Sequence, residues 1–439
     1  MRPLLTCLLV FLAVLPVAVG QAAEPDPVLA TTLDNGLRVL LLEDHRSPIV
    51  SVQMWYRVGS RNEQRGATGL AHFLEHMMFK GTSAHPRGAF SEVVERNGGK
   101  NNAFTSQDVT SYYVNIAADR VELILDLEAD RMRNLTLDPK DIDSERQVVI
   151  EERRTRTEDD PAGFLGEAVS AIAFKAHPYG QPIVGWMEDL GRITPAQIRA
   201  FYNTYYVPGN AILVVAGDVK GPELLEKIKR RFGAIARAAD PPAVTAVEPG
   251  QDGERRVTLR RPEARLPVVY LAWPVPNYTS ADAAALELLS TVLSSGRASR
   301  LYRHLVYERQ LALDAGGDYS YFSFDPNVFW FYATPLPGQT PETLEKELLA
   351  EMEGLRNESV TDEELTRAKN QTEAGFVFQE DSIFRRASLL ARFELLGGYA
   401  KKDDFLRSIR ALTAADLQRV AKSWFPPDLK NVGILLPKK

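Results

Sequence analysis

The chain has 439 residues, 45% of them hydrophobic and 25% charged, and a formal net charge of −6. That length and balance support two or more domains with cores of their own, and exclude a disordered or fibrous chain. No basic run that could track a phosphate backbone is present, so no nucleic-acid partner is expected.

The N-terminal stretch MRPLLTCLLVFLAVLPVAVGQAAEP places one arginine before an apolar run from Leu4 to Val19, then small residues. This is the layout of a secretory signal peptide, over residues 1–23, and predicts an exported protein, periplasmic or secreted. A retained membrane anchor suits it less, because Pro3 and Pro16 bracket a run shorter than a comfortable span. Cys7 is the one cysteine, so the processed chain has no disulfide, no thiolate metal site and no cysteine nucleophile. A metal would have to be held by histidines and carboxylates.

GLRVLLLED (36–44) and IVSVQMWYRVG (49–59) read as strands. GLAHFLEHMMFKGT (69–82) follows, and its apolar pattern predicts a helix over 68–79. The chain has six histidines, yet His72 and His76 stand four apart on one face of that helix, flanked by Glu75. Two imidazoles at this spacing can bind one metal ion. Zinc held so acidifies a water, and a neighbouring carboxylate can take its proton as the water attacks a carbonyl. Structural histidines lining a core helix are the plainer alternative. Leu70, Phe73, Leu74, Met77 and Phe79 make this helix strongly apolar, however. Burying two imidazoles and a carboxylate unpaired among them would cost on the order of several kcal/mol, and a metal satisfies all three. H-x-x-E-H is the inverzincin pattern.

A catalytic zinc needs a third protein ligand. DSERQVVIEERR (143–154) reads as a helix in which Glu145 and Glu152, seven apart, share a face, while Glu151 points elsewhere. Further on, His177 in HPYG reads as a loop or packing residue.

The chain then repeats itself. ITPAQIRAFYNTYYVP (193–208) resembles LTAADLQRVAKSWFPP (412–427), an offset of 219, and each copy precedes a strand, NAILVVAG or KNVGILLP. The same offset sets Glu145 on Glu364, and Leu70, Phe73 and Leu74 on Leu289, Val292 and Leu293. One long repeat indicates two homologous domains rather than a solenoid. The expected division is 24–236 and 255–439, with a Pro- and Ala-rich linker at 237–254. Strands and helices that mix without regular alternation predict an α+β fold, each domain a mainly antiparallel sheet with helices packed on one face.

With these strings in place the chain resembles the pitrilysin-type (inverzincin) zinc metallopeptidases, which include insulin-degrading enzyme and the mitochondrial processing peptidase. TTLDNGLRVLL, HFLEHMMFKGT, NNAFTSQDVTSYY, HPYG and YVPGNAILVVAGDV carry the resemblance over nearly all of the chain beyond the signal peptide. It implies that His72, His76 and Glu152 ligate one Zn2+ per chain, that Glu75 is the general base, and that Glu145 orients a ligand from behind. It further implies that an extended peptide adds to an edge strand at Asn102, Ala103 and Phe104, and that the two domains form half of a clam-shell chamber.

At the same offset His72, Glu75, His76 and Glu152 fall on Thr291, Ser294, Ser295 and Gln371, so the second domain is expected to be silent. The resemblance also calls for an Arg and a Tyr, seven apart, that hold the substrate. LVYERQLAL (305–313) has Val306 and Leu313 there, and Arg303 and Tyr307 break the spacing. The expectation is a zinc endopeptidase acting on peptides or unfolded segments, as the catalytic subunit of a heterodimer whose homologous partner lacks zinc ligands and supplies that pair. A homodimer, and a non-catalytic structural or chaperone-like member of the family, are the alternatives.

Overall fold

A computed structural model describes residues 28–438. The expected signal peptide lies outside the described residues. No helix among them is long and apolar enough to cross a membrane.

The first sheet contains β1 (Val28–Thr32), β2 (Arg38–Glu43), β3 (Ile49–Tyr56), β4 (Lys100–Thr105), β5 (Thr110–Ala117) and β6 (Ala211–Gly217). Their spatial order is β1-β2-β6-β3-β5-β4, antiparallel except for the β2–β6 pair. Eight helices accompany it: α1 (Leu70–Met77), α2 (Ala89–Arg96), α3 (Val121–Arg133), α4 (Pro139–Arg153), α5 (Pro161–Ala173), α6 (Met187–Leu190), α7 (Pro195–Tyr205) and α8 (Gly221–Phe232). Residues 236–254 carry neither helix nor strand.

The second sheet repeats the plan with β7 (Arg255–Arg261), β8 (Val268–Val275), β9 (Ala312–Asp318), β10 (Asn327–Pro335) and β11 (Asn431–Pro437), ordered β7-β11-β8-β10-β9. Its pair β7–β11 is again the parallel one. The helices here are α9 (Ala283–Ser294), α10 (Pro341–Asn357), α11 (Asp362–Glu380), α12 (Ile383–Leu395), α13 (Lys401–Ala411) and α14 (Ala414–Trp424). This is the expected α+β architecture in two similar copies.

Each sheet buries one face under helices of its own half. Val50, Val52, Met54 and Tyr56 of β3, for example, pack with Phe73 and Leu74 of α1 and Ile142 and Val149 of α4. The opposite face is covered by a single helix from the other half. Ile383, Ala387, Ala391 and Leu395, recurring every four residues along α12, lie on Leu40, Leu42, Ile212, Val214 and Ala216. Leu165, Val169 and Ala173 of α5 form the same stripe against Ala272, Val328 and Leu435 of the second sheet. β2 and β6 are thereby buried on both faces. This explains why LLL and AILVV are continuous apolar runs rather than alternating ones.

Polar bonds finish both crossings. Arg57 donates to Leu395 O at the end of α12, and Arg255 donates to Ile172 O and Ala173 O at the end of α5. Each thus satisfies carbonyls that the terminating helix leaves free. Asp44, at the end of β2, pairs with Arg46 and with Arg386 of α12. The two halves also meet where Arg61 and His177 both reach Asp325, so His177 has the packing role expected of it.

Two outcomes follow. A Cβ on Gly433 of β11 would lie 2.2 Å from Val169 Cγ2 of α5. Gly433→Ala should therefore lower the urea midpoint by an amount equivalent to about 1–3 kcal/mol, while Gly250→Ala, where nothing lies near, should not. The Arg46 hydrogen bonds, with help from Arg386, hold the Asp44 carboxyl at about 2 against 3.8 unperturbed. A depressed carboxylate stabilises the fold above its unfolded pKa and loses that contribution as pH falls through the folded value. About 2 kcal/mol should thus disappear between pH 4 and pH 2, and the same acid titration of Asp44→Asn should lack that component.

Candidate active site

Gly69 starts α1 from a left-handed conformation (φ 90°), and a side chain there would strike Val184 O. The carboxylate of Glu63 accepts from Gly69 N and Ala71 N, both at 2.7 Å, and so caps the helix start. Burial pushes Glu63 up to about 8, against the pull of those two bonds. Leu70, Phe73, Leu74 and Met77 then fix the rotation of α1 in the core. That rotation turns His72, Glu75 and His76 towards α4 and β4.

α4 crosses behind α1 and supplies two carboxylates from one face. Glu152 lies 3.2 Å from His76 Nε2 and 3.5 Å from His72 Nε2. Glu145 lies 2.8 Å from His76 Nδ1 and also meets Lys80. Glu151 points to solvent and pairs with Arg154. Glu75 does not join this group, and its Oε2 instead accepts from Thr105 Oγ1 at 2.5 Å, at the end of β4.

The electrostatics follow from that placement. Burial alone would lower His76, but the bonds to Glu145 and Glu152 win and raise it to about 9. Hydrogen bonds from His72 and then His76 hold Glu152 far below the usual carboxylate range. Burial pulls Glu145 up, yet the His76 and Lys80 bonds leave it lowered. The pocket between α1 and α4 is thus built to surround positive charge.

A divalent metal fits it. One ligand atom each from His72, His76 and Glu152 lies within 4.8 Å of the others, the one such grouping among the described residues. A carboxylate can only accept, so His76 Nδ1 carries the hydrogen shared with Glu145, and Nε2, which faces Glu152, is the nitrogen that would give its lone pair to a metal in exchange for its proton. Two imidazoles and a carboxylate are the donor set of a catalytic zinc site.

Asn102, Ala103 and Phe104 lie on β4, which is an edge strand. Asn102 is exposed, and its Oδ1 accepts from Ala103 N at 2.9 Å. Ala103 packs towards α1, whereas the Phe104 ring turns to the other face and meets Trp55 edge-on at 5.4 Å. Four residues that sequence reasoning missed adjoin the site. Thr105 and Lys80 lie inside strings already singled out, but no spacing shows that they turn to carboxylates. Glu63 sits alone in a loop. Arg156 donates to Glu152 Oε1 at 2.7 Å from one helical turn on, which an i, i+4 search from Glu152 would have found.

The second half has filled the equivalent place with neutral bonds. Ser294 Oγ donates to Gly317 O of β9 at 2.7 Å and accepts from Gly317 N. Thr291 meets Thr372, and Gln371 donates to Ser295 O at 3.4 Å. Glu364 survives as a carboxylate, paired with Arg300. Tyr307 and Leu313 are exposed, and Arg303 pairs with Glu308 at 3.1 Å.

Two similar α+β units, one carrying a His-His-Glu grouping able to hold a metal ion on crossed helices beside an edge strand, define the class as an inverzincin-type metallopeptidase scaffold. Residues 38–186 match the family model described as Insulinase (Peptidase family M16), and residues 192–372 match that of the Peptidase M16 inactive domain. The chain belongs to peptidase family M16. It is 34% identical over 432 residues to the zinc protease PqqE of Helicobacter pylori, covering 97% of each chain. It is 31% identical over 405 residues to a protein named as a zinc protease in Mycobacterium tuberculosis, covering 91% of this chain and 92% of that one. The crystal structure of a protease from Helicobacter pylori superposes with a TM-score of 0.92 at 33% identity, over 94% of this chain and 100% of that one.

If Glu145 orients His76 as a ligand, Glu145→Gln should weaken zinc binding about 10- to 100-fold. Titration of the metal-free chain with a chelator-buffered zinc series, read alongside circular dichroism, separates that loss from unfolding.

Proposed function

We propose that this chain is a zinc-dependent endopeptidase of peptides or unfolded segments, exported from the cytoplasm, with His72, His76 and Glu152 as the ligands of one zinc ion. The observation that carries the reading is Glu75: a carboxylate on the ligand helix that is not among the ligands and faces the end of an edge strand. A divalent metal in this site would polarise the scissile carbonyl and acidify a water. Glu75 takes the proton from the attacking water and passes it to the leaving amine. Thr105 holds the Glu75 carboxylate while it waits. Glu145 and Lys80 keep His76 in one tautomer and orientation. The edge of β4 accepts an extended peptide by main-chain bonds, for which Asn102 Oδ1 must release Ala103 N. Folded proteins present no free strand for that edge, which favours unfolded substrates.

The chain acts with a homologous subunit in this reading. Support comes from the C-terminal half, where Val306 and Leu313 stand at the Arg and Tyr positions, Arg303 is paired with Glu308, and Tyr307, though exposed, breaks the spacing. The fold of the periplasmic protease PqqL from Escherichia coli agrees: this chain covers 93% of its first half and 48% of the full chain, at 20–21% identity. One polypeptide there is about as long as two of these chains.

Glu75→Gln should retain zinc at wild-type stoichiometry and lose about 10²- to 10⁴-fold in the rate of peptide cleavage. Metal analysis and cleavage of a fluorogenic unstructured peptide, with and without a homologous subunit that carries the Arg/Tyr pair, test this. Unchanged cleavage by Glu75→Gln would refute the assignment.

A further inference from the structure

A cavity of about 470 Å³ opens between the halves, on the face of the first sheet opposite α1. Trp55, Phe104, Phe324 and Phe376 contribute its aromatic walls, and Glu287 of α9 and Asp318 at the end of β9 contribute carboxylates. Phe104 ties it to the site already described. Along β4 the side chains alternate, so Thr105 reaches Glu75 on one face while Phe104 borders the cavity on the other. A peptide paired to the edge of β4 alternates in the same way. When one residue of that peptide points towards Glu75, its neighbour one position along points over Phe104.

Of the three carboxylates that line this cavity, Asp108 accepts from Tyr179 Oη and Phe324 N and lies 3.5 Å from Arg61, whereas Glu287 and Asp318 have no such partner among the described residues. Burial, then the neighbouring Asp318, pushes Glu287 up to about 7, and burial raises Asp318, with no hydrogen bond or cation of the chain opposing either. The guanidinium that lines the same cavity, Arg392, lies over the Phe322 ring 5.4 Å from its centre and pairs with neither. Glu287, half-buried and without a counter-ion, is costly to charge there, and a cation entering the cavity relieves that cost, with Asp318 adding its attraction from the exposed rim. Aromatic faces attract the same kind of group, and they also cover an aliphatic stem.

We infer that this cavity is a specificity subsite for a lysine or arginine side chain of the peptide, adjacent to the residue presented to Glu75. The inference rests on peptide addition to β4 and names the substrate class for it. Glu287 and Asp318 receive the charged end, and Phe104 and Trp55 flank the stem.

The test measures binding, with cleavage switched off. The zinc-loaded full chain carrying Glu75→Gln is titrated, by fluorescence anisotropy, with labelled, acetylated and amidated Thr/Val/Ser octapeptides. These hold a single central lysine, norleucine or glutamate. The lysine peptide should bind about tenfold tighter than the norleucine peptide. Adding Glu287→Gln should abolish that advantage while leaving norleucine binding in place. Asp318→Asn, at an exposed position, should reduce the advantage about threefold, and it carries the test should the Glu287 variant not fold. Equal binding of lysine and norleucine peptides overturns the subsite but leaves peptide addition standing, and so does a preference for glutamate, which would assign the specificity to Arg392. Failure of every peptide to bind overturns both.

Discussion

The structure of the site depends on one arrangement: a histidine, His76, held between two carboxylates of a crossing helix. Glu145 on Nδ1 and Glu152 on Nε2 come from positions seven apart on α4. They can reach opposite sides of one imidazole only if α1 and α4 cross at fixed depth and rotation. The core residues of both helices set the depth. The same core residues fix the rotation of α1, and Glu63 and Gly69 anchor its first turn. Loss of that anchor would leave three carboxylates and two imidazoles near each other without the geometry that makes them compatible. A site of such charge density is stable in an apolar helix face only with positive charge inside it. The proton on His76 plays that part here, as a divalent ion would.

The exchange of α5 and α12 serves the same end on a larger scale. A sheet with helices on one face leaves an apolar face open, and each half closes its neighbour's. The consequence for the site is that β4 and its turn cannot shift against the second half. Asp108 of that turn accepts from Phe324 N and from Tyr179 Oη. The edge strand is therefore positioned by both halves, although His72, His76 and Glu152 all belong to one.

Much of this was legible in the sequence because it was local or repeated. His72, Glu75 and His76 declare themselves by helical spacing, Glu145 and Glu152 by a shared face, and the two-copy architecture by the offset of 219. The helix exchange was not legible. A stripe every four residues in IFRRASLLARFEL says that α12 buries a face, but the same stripe would serve for burial in its own half. The continuous apolar runs of β2 and β6 suit burial on both faces but do not say what covers the second one. Thr105, Lys80 and Glu63 were hidden for a related reason: a lone polar residue finds its partner through tertiary contact, which leaves no period to read.

The second half makes a different use of the position that Glu75 occupies in the first. Ser294, aligned with Glu75, turns both its donor and its acceptor onto Gly317 of β9, so the matching edge is closed by its own helix. Glu75 is too long and too acidic to do this. A carboxylate cannot donate to a carbonyl, and Glu75 reaches past the backbone to the Thr105 hydroxyl, leaving the edge of β4 open. The exchange of a serine for a glutamate at one helical position thus separates an edge strand bonded to its own helix through its backbone from one bonded to it through a side-chain hydroxyl.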